Sequence, residues 1–138
     1  MQPPFSGKPG ATGLRRVINA TGYSWQGLKA AFQHEAAIRQ ELLLLVIAGA
    51  ILCLLDLPVL ERLVMFSSVV LVLIVELLNS AIEAVVDRVG SERHELSGRA
   101  KDIGSAAVMV TLLLAGLIWS VLLYVHYLQQ ALRISRND

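Results

Sequence analysis

An uncharged run of 23 residues, 103–125, constrains the fold more than any other feature of this sequence. A membrane-crossing helix needs about 20 consecutive apolar residues, because the hydrocarbon core of a bilayer is about 30 Å thick. Trp119, Tyr124 and Tyr127 lie near the end of the run and resemble the aromatic belt found at membrane interfaces. The first residues of the run include four small ones that let helices approach closely, namely Gly104, Ser105, Ala106 and Ala107. The sequence therefore predicts a transmembrane helix over residues 103–127.

Two further apolar segments predict crossings over residues 42–60 and 63–86. The first is uncharged for only 14 residues, so the predicted span has to continue past Asp56 and Pro58. The chain is 55% hydrophobic, with a mean hydropathy of +0.61, whereas soluble domains are about 45–50% apolar. We expect an all-α membrane protein with three transmembrane helices packed as a bundle.

The two ends of the chain differ from the apolar segments. Residues 1–13 are rich in Pro and Gly and predict a disordered lead-in. Residues 14–40 carry apolar side chains at spacings of three, four and seven, which predicts an amphipathic surface helix with a break near Gly22 or Gly27. An ordinary surface helix of a soluble domain is the alternative. Residues 129–138 form a polar tail, which leaves a single membrane domain over residues 14–128.

The distribution of charge predicts the orientation. A net charge of +1 argues against nucleic acid as a partner, because phosphate binding needs a basic surface. Five of the 12 Lys and Arg residues precede the first span, and four more lie between residues 87 and 102. Positive residues favour the cytoplasmic side. We therefore expect the amino terminus and the 87–102 loop in the cytoplasm, and the carboxyl terminus outside.

Four polar residues interrupt the apolar segment 63–86 and a fifth follows it directly, and helical geometry places all five on one face. This acidic stripe consists of Glu76, Asn79, Ser80, Glu83 and Asp87. An ionisable residue at membrane depth costs about 2.5–3.5 kcal/mol on insertion scales, so it normally faces protein or a wet cavity. The stripe alone leaves three functions open, namely catalysis or metal binding, ion or proton transport, and hydrogen bonding between helices.

Spacing along the stripe favours chemistry between the membrane and the cytoplasm. The backbones of Glu76 and Glu83 are about 10 Å apart along the axis, which separates a deep position from a shallower one. In the adjoining loop, Arg99 and Lys101 are suited to neutralise phosphates while Glu83 holds a metal ion. A solvated charged turn is the alternative. The sequence contains no GxxxxGK[ST] loop and no protein-kinase motif set, so phosphoryl transfer would need an unrelated site.

Residues 75–108, "VELLNSAIEAVVDRVGSERHELSGRAKDIGSAAV", resemble the signature of the prokaryotic diacylglycerol kinases, small integral-membrane enzymes. The resemblance extends to residues 22–41, "GYSWQGLKAAFQHEAAIRQE", and covers nearly everything from Arg15 to about Tyr127. It implies an ATP-dependent kinase that transfers the γ-phosphate of MgATP to 1,2-diacylglycerol, giving phosphatidic acid. It also implies Mg²⁺ as cofactor, a homotrimer with sites between protomers, and location in the bacterial inner (cytoplasmic) membrane.

The resemblance further implies roles for individual residues. Glu76 corresponds to the general base, and Glu35 and Glu83 correspond to metal ligands. The implied nucleotide-binding residues are Arg16, Tyr23, Glu35, Glu83, Glu92, Arg93, His94, Lys101 and Asp102. The implied lipid contacts are Ala20, Thr21, Gly22, Tyr23, Ser24, Trp25, Ala37, Ile38, Arg39, Gln40, Glu41, Leu54, Leu55, Asp56, Leu57, Glu76, Asn79, Ser105, Trp119 and Tyr124.

Two positions depart from the family pattern. Arg93 stands where an aromatic residue is expected, and Thr21 where a small apolar one is expected.

Two rival functions remain open. The rival within the family is an undecaprenol kinase, although "HELSGRAKDIGSAAV" is more similar to the diacylglycerol branch. The rival of another class is a small channel or proton-coupled transporter, which explains the intramembrane acids but gives no reason for Lys101, Asp102 and Glu35.

Overall fold

The computed structural model describes residues 13–90, 92 and 94–137, and this part of the chain is all-helical. The helices are α1 (Leu14–His34), α2 (Ala36–Leu54), α3 (Val59–Val89) and α4 (Glu95–Asn137). Three of them, α2, α3 and α4, are long and apolar enough to cross a membrane. At 1.5 Å per residue they are about 28, 46 and 64 Å long. The predicted all-α class with three candidate spans is confirmed.

All three apolar helices differ from their predicted ranges, since α2 covers residues 36–54 instead of 42–60, and α3 and α4 extend beyond residues 63–86 and 103–127 at both ends. Residues 87–89 and 95–102 of the predicted loop are therefore helical. The first predicted span was to continue to residue 60, but α2 ends at Leu54 and α3 begins at Val59. Proline disfavours helical backbone in the residue before it, and Pro58 instead serves as the N-cap position of α3, where its carbonyl accepts from the Arg62 N–H at 3.1 Å. The apolar run 42–60 therefore contains a turn.

α1 is one uninterrupted helix, and all of its residues except the half-buried Ala31 are exposed. It runs through Gly22 and Gly27 without a break, contrary to the expectation. The chain leaves helical geometry at Glu35 instead, where φ is −108° and ψ is 117°. Residues 36–40, assigned from the sequence to the surface helix, are the start of α2. The predicted lead-in lies outside the described residues except for Gly13, and the position of α1 on a membrane surface remains a prediction.

The three apolar helices pack with α3 in the middle, in contact with both α2 and α4. The buried face of α3 is formed by Met65, Ser68, Val69, Val72, Glu76 and Asn79. These positions recur at three- and four-residue intervals, the period of one helical face. The buried face is therefore apolar over its first half and polar over its second half.

A cluster of buried apolar side chains forms the core of the apolar half of the bundle. Leu52, Leu57 and Met65 are buried there, packed against the half-buried Ile118, Trp119, Leu122 and Leu123. The Trp119 indole donates from Nε1 to the Met65 carbonyl oxygen at 3.1 Å, and the Ser68 hydroxyl donates to the same oxygen at 2.7 Å. Trp119 thus packs between α3 and α4, while Tyr124 and Tyr127 are exposed.

The face of α4 that meets α3 is made of small residues, since its buried positions are Gly104, Thr111 and Ala115. Small residues allow two helix backbones to approach closely. Ser105, Ala106 and Ala107 were expected to share this role, but they are exposed in the described chain. α4 also continues as helix through residues 129–137, so the polar tail expected after the third span is helical as far as Asn137.

Candidate active site

The acidic stripe of α3 passes from buried to exposed along the helix. Glu76 and Asn79 are only 9% and 8% exposed, Ser80 and Glu83 are half-buried, and Asp87 is exposed. The expectation that the stripe faces protein is confirmed for its deep end. A carboxylate buried at this depth is expensive unless it has a partner or a function, so Glu76 is the residue around which the site is built.

Other carboxylates surround Glu76. Glu83 and Glu35 both lie within electrostatic range of it, and so does Glu41 on α2. Glu41 is half-buried, and its Oε2 is enclosed without a hydrogen-bond partner. Three further acids, one of them on the same helix, therefore each interact with Glu76. The negative charges of neighbouring carboxylates repel one another, so these side chains are suited to bind cations or hydrogen-bond donors.

Asn79 connects the deep and shallow ends of the stripe. Its Nδ2 donates a hydrogen bond of 3.1 Å to Glu83 Oε1, one turn further along α3. Its Oδ1 is buried without a hydrogen-bond partner and lies against Gly104 of α4. The amide thus points its donor at the shallow carboxylate and its acceptor at α4.

An open cleft lies beside the exposed end of the stripe, where α3 leads into α4. Its volume is about 650 Å³, and the residues that line it are Val86, Asp87, Gly90, Glu92, His94, Glu95, Ser97, Gly98 and Lys101. Three of the expected nucleotide residues, Glu92, His94 and Lys101, are thereby brought together. Asp102 is exposed at the next position of α4. Arg93, expected between Glu92 and His94, lies outside the described residues.

The basic residues expected to neutralise phosphates already have acidic partners. Lys101 Nζ lies 2.6 Å from Asp87 Oδ1, and Arg99 lies 2.7 Å from Glu95 Oε1. Both ion pairs are largely exposed, and exposed pairs of this kind are weak. A phosphate could therefore replace either carboxylate as the partner. Of the two cations, only Lys101 lines the cleft.

His94 has a structural function in addition to its expected one. Its Nδ1 accepts a hydrogen bond of 3.2 Å from the Leu96 N–H, which places His94 at the N-cap of α4. The first N–H groups of a helix have no partner within the helix, and a side-chain acceptor at the N-cap satisfies one of them. His94 therefore fixes the start of α4 at the edge of the cleft.

The expected lipid contacts divide into separate groups. Ala37 and Glu41 are half-buried and Ile38 is buried on α2, Arg39 and Gln40 are exposed there, and Ser105 is exposed beside Gly104. A second group lies at the α2–α3 turn and its neighbours on α4. It comprises the exposed Leu54, Asp56 and Tyr124, the half-buried Leu55 and Trp119, and the buried Leu57. Trp119 contacts α3 at Met65, about 16 Å along the helix from Glu76.

The expected site residues on α1 form a third group. Arg16 and Tyr23 are exposed, as are Ala20, Thr21, Gly22, Ser24 and Trp25. The hydroxyls of Thr21 and Ser24 donate to the carbonyl oxygens four residues earlier, at 2.9 and 3.0 Å. The departure at Thr21 is thus accommodated by a hydrogen bond within the helix. Their roles in binding remain predictions.

The carboxylates around Glu76 fit part of the ligand shell of a metal ion, and water and phosphate oxygens would have to complete that shell. Within the described part of the chain, no group of three or more His, Cys, Asp or Glu is arranged to hold a metal ion. Mg²⁺ commonly uses one or two carboxylates and completes its shell with water and nucleotide phosphates. Glu35 and Glu83, both half-buried and both close enough to interact with Glu76, fit that requirement.

Comparison with known proteins matches the segment that carries this site. Residues 22–123 match the family described as Prokaryotic diacylglycerol kinase. The chain belongs to the prokaryotic diacylglycerol kinase family. It is 57% identical over 116 residues to the diacylglycerol kinase of Escherichia coli (strain K12), an alignment that covers 84% of this chain and 95% of that protein.

Two other relatives in this family are similarly close. The chain is 53% identical over 120 residues to a diacylglycerol kinase of Pseudomonas aeruginosa, covering 87% of this chain and 95% of the relative. It is 52% identical over 113 residues to one of Haemophilus influenzae, covering 82% and 96%. The resemblance seen in residues 75–108 is thereby confirmed, and the chain is an enzyme of the diacylglycerol kinase family.

Three contacts of this site could not be read from the sequence. Gly104 was expected only to permit close helix packing, whereas it lies against the Asn79 amide. Glu41 was expected as a lipid contact, but its proximity to Glu76 was not expected. Asp87 was assigned to the stripe without its partner Lys101. Each contact joins two different helices, and helical periodicity describes only one helix at a time.

Proposed function

We propose that the protein transfers the γ-phosphate of MgATP to the free hydroxyl of 1,2-diacylglycerol, giving phosphatidic acid and ADP. The observation that carries the proposal is the acidic stripe itself. It begins at the buried Glu76, where an apolar alcohol could arrive from the membrane, and ends at a cleft of about 650 Å³ lined by Lys101. The relatives are named for the same activity.

Glu76 is assigned the role of general base. The O–H bond of the lipid alcohol breaks and its proton passes to the Glu76 carboxylate, while the alcohol oxygen forms a bond to the γ-phosphorus. The bond from the γ-phosphorus to the β–γ bridging oxygen breaks, and ADP leaves with that electron pair. Phosphoryl transfer requires mainly positioning and charge neutralisation from the protein. A buried carboxylate beside the path of the lipid supplies the proton acceptor.

Glu35 and Glu83 are assigned to hold Mg²⁺ together with the nucleotide phosphates. When bound, the ion supplies positive charge that offsets the phosphate oxygens. Lys101 then exchanges Asp87 for a phosphate oxygen, which its largely exposed ion pair permits. Arg16, Tyr23, Glu92, Arg93, His94 and Asp102 are assigned to the nucleotide on the basis of the family resemblance.

The setting of the reaction is assigned in the same way. We place the three apolar helices in the bacterial inner (cytoplasmic) membrane, with the amino terminus and residues 87–102 on the cytoplasmic side. The active form is assigned as a homotrimer with sites between protomers. One feature of the single chain supports this, since its cleft is open on one side.

One assay tests the function and separates it from its rivals. Purified protein in mixed micelles receives MgATP labelled in the γ-phosphate, with diacylglycerol in one sample and undecaprenol in another. Labelled phosphatidic acid supports the proposal. Labelled isoprenyl phosphate would instead assign the alternative acceptor within the family, and no labelled lipid in either sample would contradict a kinase and leave the channel or transporter.

The Glu61→Gln variant is a suitable reference protein in this assay. Glu61 is half-buried near the start of the same helix, about 22 Å along the axis from Glu76, so it tests whether any loss of charge on α3 alters turnover. We expect its rate to match that of the unmodified chain.

A further inference from the structure

Gly104 stands out among the glycines of α4 by what surrounds it. A Cβ built on Gly104 would overlap Asn79 Oδ1 and would lie 3.3 Å from Asn79 Cγ. Gly104 is also buried in the contact between α3 and α4. Glycine weakens a helix relative to alanine, so a buried helical glycine pressed against a neighbour indicates a close approach that a side chain would prevent.

Two other glycines of α4 provide the comparison. A Cβ built on Gly98 or on Gly116 would meet no atom within 4 Å. Both are exposed, and both lie in the same helix as Gly104. The restriction at position 104 therefore comes from the facing residue and not from the backbone of α4.

The facing residue is Asn79, whose amide has two different ends. Nδ2 donates to Glu83 Oε1 at 3.1 Å, and Oδ1 is buried without a hydrogen-bond partner. An amide turned the other way would place Oδ1 against the carboxylate, where the two acceptors repel. The orientation that serves Glu83 thus requires Oδ1 to occupy the space beside Gly104.

We propose that Gly104 is a positioning residue, whose missing side chain leaves the space that holds the Asn79 amide in hydrogen bond to Glu83. A methyl group at position 104 meets the end of the Asn79 side chain first, so rotation of that amide relieves the overlap. Rotation breaks the hydrogen bond to Glu83 and frees the carboxylate to adopt other conformations. The consequence for metal binding rests on the proposed function, whereas the consequence for the amide does not.

The first experiment observes the amide directly. The side-chain NH₂ signals of Asn79 are recorded by ¹H–¹⁵N NMR in detergent micelles and are assigned by their disappearance in Asn79→Ala. Glu83→Ala gives the signal shift expected when the acceptor is lost, because a glutamine at position 83 would still accept through its Oε1. We expect Gly104→Ala to shift the same signals in the same direction, while Gly116→Ala leaves them in place. Unchanged Asn79 signals in Gly104→Ala would overturn the proposal.

The second experiment measures the consequence at Glu83 by a double-mutant cycle. Binding of Mn²⁺ in the presence of a non-hydrolysable ATP analogue is followed by electron paramagnetic resonance. Loss of a group that orients a metal ligand typically weakens binding about 10–100-fold. We expect at least about a 10-fold loss in Gly104→Ala and in Asn79→Ala, and no additional loss when the two are combined, because both changes remove the same hydrogen bond.

The cycle distinguishes positioning from simple helix packing. If Gly104 served only to bring α3 and α4 together, Asn79→Ala alone would keep its affinity for Mn²⁺, and adding it to Gly104→Ala would relieve the overlap and restore binding. Full Mn²⁺ affinity in Asn79→Ala, or restored affinity in the double variant, would therefore contradict the proposal. A Gly104→Ala protein that binds Mn²⁺ as well as Gly116→Ala does would contradict it too.

The two readouts also separate this inference from the proposed function. An unmodified chain that binds no Mn²⁺ and transfers no phosphate would end the assignment of Glu83 to the metal, but the shift of the Asn79 signals would still decide the positioning role. If Gly104→Ala fails to assemble, Gly104→Ala combined with Asn79→Ala is the deciding protein, since removal of the amide leaves room for the methyl group. Assembly of the double variant supports the proposal, and its failure to assemble contradicts it.

Discussion

Lys101 Nζ lies 2.6 Å from Asp87 Oδ1 and so joins the beginning of α4 to the end of α3. The pair lies at the wall of the cleft, because both residues line it. The Lys101 side chain is 40% exposed and the Asp87 side chain 67% exposed. Solvent and salt weaken an interaction of this kind, so the cation can exchange its partner without a large change in the fold.

Replacement of Lys101 by glutamine should therefore impair nucleotide binding more than stability. We expect KM for MgATP to rise by about 10-fold or more, since the charge that faces the phosphates is lost. Arg99→Gln is the matched control, because Arg99 forms an exposed ion pair of 2.7 Å on the same helix but does not line the cleft. Steady-state kinetics at saturating lipid measures both, and equal changes in KM would contradict the special position of Lys101.

His94 should respond to substitution according to its two roles. An asparagine side chain would retain an acceptor for the Leu96 N–H, so His94→Asn should unfold at nearly the same temperature as the unmodified chain. His94→Ala removes the cap and should lose up to about 1 kcal/mol of stability. Both variants should raise KM for MgATP if the imidazole also contacts the nucleotide. Thermal unfolding in micelles and steady-state kinetics together test these expectations. A normal KM for MgATP in His94→Asn would show that His94 acts only as the N-cap of α4.

Trp119 should contribute to stability without taking part in the chemistry. Trp119→Phe removes the Nε1 donor to the Met65 carbonyl oxygen, for which we expect a loss of about 1 kcal/mol and little change in turnover. Trp25→Phe is the control, because Trp25 is 70% exposed on α1. Chemical unfolding monitored by circular dichroism provides the comparison. Equal stability of the two variants would show that the indole hydrogen bond contributes nothing.

The predicted orientation can be tested with single cysteines. The natural Cys53 is replaced by serine, and Arg88→Cys and Arg133→Cys are made separately at exposed positions near opposite ends of the apolar helices. The positive-inside distribution predicts that a membrane-impermeant maleimide added to intact spheroplasts labels the Arg133→Cys protein and not the Arg88→Cys protein. Inverted vesicles should give the opposite result. Labelling with the sides exchanged would reverse the assigned orientation.

Helical periodicity and apolar length were enough to predict much of this structure. The stripe from Glu76 to Asp87 follows from the 3.6-residue period, and the number of candidate spans follows from the length of the apolar segments. Burial of Glu76 was also expected, because an ionised side chain on an apolar helix is unfavourable in contact with lipid.

Contacts between helices could not be predicted, because they depend on how each helix is rotated. Four consecutive small residues begin at Gly104, and the sequence gives no reason why only the first of them should be buried. Trp119 was expected near a membrane interface, which stays a prediction, but its hydrogen bond to the Met65 carbonyl oxygen of α3 was not expected. The break at Glu35 was also missed, because neither proline nor glycine marks it.

The central claim is that Glu76 accepts the proton of the lipid hydroxyl, and the Glu76→Gln variant tests it most directly. Glutamine preserves the size of the side chain but cannot act as a base, so kcat at saturating MgATP and diacylglycerol should fall by at least about 100-fold. Binding of MgATP should be retained, and Glu61→Gln should turn over normally. Near-normal kcat for Glu76→Gln would contradict the account.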